Sequence, residues 1–106
     1  MKKNKQGDVY IIGTRINMGY WIYILRCRDN TLYTGSTPDP EKRLAVHQSG
    51  KGAKYTRSRL PVEMVYREEL PDKSAALQRE AAIKQLSRAE KLLLIQSSQD
   101  CSTSSK

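Results

Sequence analysis

The stretch YWIYILRCRDNTLYTGST, residues 20–37, decides how this chain folds. Residues 20–27 are rich in aromatic and β-branched types and read as a strand. Asp29 and Asn30 interrupt the run with turn chemistry, and residues 31–36 resume a strand, so the stretch predicts a hairpin. Strand side chains alternate between two faces. Tyr23 therefore shares a face with Trp21, Leu25 and Cys27, and Tyr33 shares one with Thr31 and Gly35. A strict two-residue turn at Asp29-Asn30 would pair Arg26 with Tyr33 and send the tyrosines to opposite faces. Bringing them to one side requires a three-residue turn or a bulge, and Asn30 tolerates the left-handed conformation such a turn uses.

Beyond the hairpin, residues 38–49 read as a helix, with Asp39 as its cap, Pro40 in its first turn and Gly50 at its end. A basic loop, KGAKYTRSRLP, follows at 51–61, then a third strand at 62–70. A second helix starts at Asp72 or Ser74 and runs to about residue 85. Ser87 and Glu90 form a capping box for a third helix over 88–95. The order is β-β-α-β-α-α, which predicts an α/β (α+β) domain: a three-stranded, largely antiparallel sheet flanked by helices. Residues 1–19 are polar and broken by Gly7 and Gly13, and read as a flexible N-terminal extension in which the apolar stretch 9–12 is isolated. Residues 96–106 are mostly Ser, Gln and Lys and are expected to be a disordered tail. The folded part is then 20–95, a single domain in a chain of 106 residues.

Nineteen Lys and Arg against eleven Asp and Glu leave a net charge of +8. That excess favours a polyanionic partner, because each phosphate neutralised releases counterions. No segment reads as a basic amphipathic helix with a bulky apolar face, and no run approaches a transmembrane length, so no membrane partner is expected. Cys27 and Cys101, one in an apolar run and one in a Ser-rich tail, form neither a disulfide framework nor a metal-ligand pattern. Residues 1–17 hold no apolar core long enough for a signal peptide. A cytoplasmic protein, monomeric or weakly oligomeric, is the expectation.

Trp21-Ile22-Tyr23 and Tyr33-Thr34-Gly35, on one hairpin, resemble the paired triplets of the GIY-YIG nuclease family. An arginine on the next helix, Arg43 in EKRLAVH, and a glutamate on a later one, Glu80 in ALQREAAIKQL, follow in the family's order. The chain is most similar to the small stand-alone bacterial members, often called YhbQ-like, which share the KGAKYTR-type loop. It departs from the pattern where Trp21 stands for the first glycine and Thr34 for the second triplet's isoleucine. It also has no asparagine after Asn30.

The resemblance implies phosphodiester hydrolysis, with Tyr33 as general base, Tyr23 orienting water or phosphate, and Glu80 holding Mg²⁺ or Mn²⁺. A phenol with a pKa of about 10 is a poor base at neutral pH and needs cations nearby. Arg43 and a bound metal would supply them, and the Arg43 fork would clamp the phosphate. His47, the only histidine, lies four residues after Arg43 and so on the same helical face. It matches a family position often held by His or Tyr, where it would hydrogen-bond a catalytic tyrosine or take its proton. Leu77 and Ile83 flank Glu80 at helical spacing, which predicts an inward glutamate; an ion pair with Lys84 is the alternative. Gly35 is expected to leave room for a phosphate. Lys51, Lys54, Tyr55, Arg57 and Arg59 form a basic run with one aromatic, suited to tracking a backbone and stacking a base. The expected partner is nucleic acid, DNA before RNA. A binding module of the same fold with little or no catalysis is the competing reading.

Overall fold

The structure, a computed structural model, describes residues 19–104, with side chains as far as residue 98. All but Gly19 of the expected N-terminal extension lies outside the described residues. The elements are β1 (Tyr20–Cys27), β2 (Leu32–Thr37), α1 (Pro40–Gln48), α2 (Lys54–Arg57), β3 (Val62–Leu70), α3 (Lys73–Lys84) and α4 (Arg88–Ser104). The class and order are those expected, with two differences. A single helical turn, α2, forms inside the basic loop. The last helix runs on to Ser104, where the sequence reading ends it at Ile95.

The sheet order is β2-β1-β3, and both pairings are antiparallel. The central place falls to β1 because it alone can be buried on both faces: only Arg26 along it is exposed. Its even-numbered residues Ile22 and Ile24 meet Ala76 and Ile83 of α3 and Ile95 of α4 in an apolar cluster. Its odd-numbered residues Tyr23, Leu25 and Cys27 form a second cluster with Val62, bordered by Tyr33, Leu44 of α1, Leu60 and Met64. Two layers of helix thus sandwich three strands. Among the described residues no helix is long and apolar enough to cross a membrane.

The hairpin turn has three residues. Cys27 N–H donates to Thr31 O at 2.9 Å, Asn30 N–H donates to Cys27 O at 2.8 Å, and Asn30 takes φ 71°. An asparagine accepts that left-handed conformation at small cost. The turn is also fastened from outside: the Asp29 carboxylate accepts from Thr31 Oγ1 at 2.6 Å and from Arg59 Nε at 3.0 Å. Helix ends follow the sequence signals. Asp39 caps α1 through Lys42 N–H at 3.2 Å, Pro40 opens the helix, and Gly50 closes it at φ 83°. Asp72 caps α3 through Ala75 N–H at 2.8 Å. Ser87 and Glu90 exchange bonds of 2.8 and 3.1 Å as a reciprocal box. Gln48, last residue of α1, grips both backbone groups of Val62, at 2.6 and 3.1 Å, and fixes the helix against β3.

Candidate active site

The three-residue turn sets the register that pairs Tyr23 with Gly35 and Leu25 with Tyr33. Both tyrosines therefore stand on one face, ring centroids 6.5 Å apart. Gly35 has a different task from the one expected. A Cβ there would lie 2.5 Å from the Tyr23 hydroxyl oxygen and 2.7 Å from Cζ. The space is taken by the Tyr23 ring, which crosses its neighbour toward the outer strand β2, and not by room for a phosphate.

His47 reaches this ring from the last turn of α1. It is fully buried, and its Nε2 lies 3.0 Å from the Tyr23 hydroxyl while its Nδ1 lies 2.9 Å from Thr56 Oγ1. The tautomer follows from proton counting. Thr56 has one hydroxyl proton, and it goes to Ala53 O at 3.0 Å. Thr56 can then only accept from His47, which puts the ring proton on Nδ1 and leaves Nε2 as the acceptor for the Tyr23 O–H. Burial pushes the His47 pKa down, and the charge of Arg43 adds to this, so the imidazole is neutral at pH 7. Burial likewise pushes the Tyr23 phenol up, while Arg43 beside it pulls back.

Tyr33 and Glu80 add smaller upward pushes on the same phenol. Glu80 belongs to α3, which packs on the opposite face of the sheet from the tyrosine pair. Its carboxylate is 16 % exposed and pairs with Lys84 Nζ at 2.8 Å. The inward and the ion-paired readings of Glu80 are thus both realised. Its expected neighbours diverge: Ile83 is buried, but Leu77 is 47 % exposed. Among the described residues no group of three His, Cys, Asp or Glu could hold a metal ion. One hard carboxylate suits a cation that completes its shell with water and phosphate oxygens.

The basic loop divides into an outer and an inner side. Lys51, Lys54 and Arg57 are exposed. Tyr55 stacks on Tyr33, centroids 5.9 Å apart, and the Arg59 guanidinium lies 3.9 Å over the Tyr55 ring. Lys54, Tyr55, Arg57 and Arg59 line one shallow groove beside the tyrosine pair. Arg59 is already engaged, with Asp29 and with Tyr55 O at 2.8 Å. The inner side was not legible as part of the site. Thr56 holds His47, and a Cβ at Gly52 would lie 2.5 Å from His47 Nδ1, so only glycine lets the loop close over the ring. A buried threonine inside a run of cations was the one available signal.

Comparison with known proteins agrees with this geometry. A family model described as the GIY-YIG catalytic domain matches residues 19–92. The chain belongs to the GIY-YIG family. Its relatives include UPF0213 proteins of Syntrophus aciditrophicus, 59 % identical over 76 residues, and of Oceanobacillus iheyensis, 56 % identical over 77. These alignments cover 71 and 73 % of this chain and 87 and 90 % of the relatives. A solution NMR structure of a protein from E. faecalis is 41 % identical, with a TM-score of 0.53 over 74 % of this chain and 84 % of that one. The GIY-YIG family is one of nucleases, and the match takes in the whole hairpin.

Proposed function

We propose that this GIY-YIG chain is a cytoplasmic endonuclease that hydrolyses phosphodiester bonds in DNA with the help of Mg²⁺ or Mn²⁺, with branched or damaged DNA, and hence repair, as the candidate setting. The observation that carries the reading is a Tyr23 hydroxyl hydrogen-bonded to a neutral histidine, with the Tyr33 ring beside it on the same face of the sheet. The base role moves from Tyr33 to Tyr23, because Tyr23 alone has the acceptor for its proton in place. As water attacks phosphorus, its proton passes to the Tyr23 oxygen while the Tyr23 proton passes to His47 Nε2. The ester P–O bond breaks, and the leaving oxygen takes a proton from solvent. No group has to rotate: an imidazolium donates from both nitrogens, and Thr56 and Tyr23 are placed to accept. Tyr33, half-buried and more open to solvent than Tyr23, orients the phosphate, and Arg43 stabilises the charge that grows on it. Glu80 would hold the divalent cation, which when bound supplies Lewis-acid stabilisation.

The Glu80–Lys84 pair favours the second reading, a binding module with little catalysis, since the carboxylate is already neutralised. One experiment separates the two. The purified chain is incubated with Mg²⁺ or Mn²⁺ and single-stranded, duplex, flapped and four-way DNA, with RNA controls. The expected result is cleavage that EDTA and Glu80→Gln both abolish, with DNA binding kept. Binding without cleavage on every substrate would leave the module.

A further inference from the structure

Trp21 is the one large aromatic of the hairpin that joins neither core. The even-face cluster takes Tyr20 and the odd-face cluster takes Tyr33, and Trp21 packs into neither. It stands half-buried on β1.

Its place is informative. Trp21 is on the tyrosine face, two residues before Tyr23, and pairs with Thr37 on one side and Glu69 on the other. Arg67, directly opposite Tyr23 on β3, places its guanidinium 5.3 Å from the Trp21 ring centroid and is tethered to Glu41 at 2.6 Å. The arrangement at the far end of the same face is alike: Tyr55, with the Arg59 guanidinium over it, stacks on Tyr33 at the level of Leu25. The Tyr55 ring is thus already taken up by Tyr33 and Arg59, and Trp21 and Tyr55 stand at opposite ends of the face that carries Tyr23. Four strand residues separate their levels, roughly 13 Å at about 3.3 Å per residue.

We propose that Trp21 is a base-stacking site for an unpaired nucleotide, on the opposite side of the scissile phosphate from Tyr55. The inference rests on the nuclease reading and narrows its substrate. An aromatic face stacks on a base only when that base is free of its duplex neighbours, so Trp21 beside the reaction centre selects single-stranded or splayed DNA. Arg67 adds a cation beside the stacked base, at the small cost of a solvent-exposed ion pair with Glu41.

Trp21 is the only tryptophan, so its emission reports on the site directly. The test uses the full chain with EDTA, at low salt. A fluorescein-labelled single-stranded oligonucleotide and a blunt duplex of equal length are titrated while anisotropy reads binding. Unlabelled DNA in parallel reads Trp21 emission. The expected result is quenching by the single strand along the curve that anisotropy gives, with little quenching by the duplex even where it binds. Trp21→Ala is expected to weaken single-strand binding roughly tenfold, the value of one base–aromatic stack, without changing the salt slope. Single-strand binding that leaves the emission unchanged overturns the stacking site while the nuclease reading stands. So does equal quenching by both DNAs. Absence of binding by anisotropy overturns both readings. The emission measurement needs no variant, so a Trp21→Ala chain that fails to fold does not decide the matter.

Discussion

The two faces of β1 are built from the same strand and made for different ends. On the even face, Ile22, Ile24, Ala76, Ile83 and Ile95 close without a polar partner among them. On the odd face, Tyr23 is as deeply buried but carries a hydroxyl, and that hydroxyl draws in a further chain of buried polar groups, His47 and Thr56. Each buried polar atom needs a partner or costs about 1–3 kcal/mol. The odd face therefore has to be organised by several segments at once: the hairpin, the end of α1 and the loop at α2. The even face is apolar apart from Thr34, which pairs with Ile24 and keeps a buried hydroxyl without a hydrogen-bond partner. The proposed chemistry lies where burial and polarity have to be reconciled.

The largest expected effects separate the faces. Ile24→Ala opens a cavity in a fully buried site and should cost about 2–5 kcal/mol of folding free energy, read by urea unfolding. Cleavage per folded molecule should be nearly unchanged. Tyr23→Phe keeps the ring's shape and leaves the buried His47 Nε2 without its donor, a loss of about 1–3 kcal/mol. Its cleavage rate should fall by two orders of magnitude or more, the range expected for a positioned acid–base group. If Tyr23→Phe cleaves like the parent, the odd face is a core like the other.

A middle-sized effect is expected from pH. The folded His47 pKa lies below its ordinary value of about 6.5, so below that pH the unfolded chain binds more protons than the folded one. The stability this group contributes is complete above about pH 6.5 and is lost as pH falls through and below it. The carboxylates Asp29 and Glu41 have folded values below the ordinary carboxylate range, and their contribution is lost only nearer pH 4, so the window from about 7 to 5 isolates the histidine. Denaturant unfolding should show stability falling across that window in the parent and staying nearly flat in His47→Leu. A flat parent profile there would mean the ring is solvated, and stability rising as pH falls would mean it is charged in the fold. Thr56→Val, which strips the Nδ1 proton of its acceptor, should destabilise by about 1–3 kcal/mol at pH 7.

What the sequence disclosed follows the same division. The hairpin, its three-residue turn at Asn30, the caps at Asp39 and Asp72 and the Ser87–Glu90 box are local, and each is written in residues a few positions apart. The even face was legible from alternation alone. The odd face was legible only in part. A shared side for Tyr23 and Tyr33 required a turn longer than two residues, but the His47–Thr56 bond joins residues whose facing depends on how the loop folds back over α1. Gly35 and Gly52 were opaque for a related reason: each is glycine because a particular ring lies against it, and no local rule names the ring. Arg59 looked like a phosphate contact by composition, yet it spends its guanidinium on Asp29 and Tyr55.

The smallest expected effect lies in this basic loop, where the cations should not be equivalent if the outer side tracks a phosphate backbone. Lys51, Lys54 and Arg57 are exposed. Replacing all three by Ala should weaken DNA binding and lower the salt slope by up to about 0.7–0.9 for each phosphate no longer neutralised. Arg59→Ala should behave differently. It removes a clamp between the hairpin turn and α2, so binding at fixed salt would weaken while the slope stays near the parent's, and the unfolding midpoint would drop. The slope distinguishes a phosphate ligand from a brace because counterion release counts only the charges that meet phosphate. A triple variant with the parent's affinity and slope at every salt concentration would take the outer loop out of the interface. DNA would then have to enter along the Trp21 and Arg67 side of the same face.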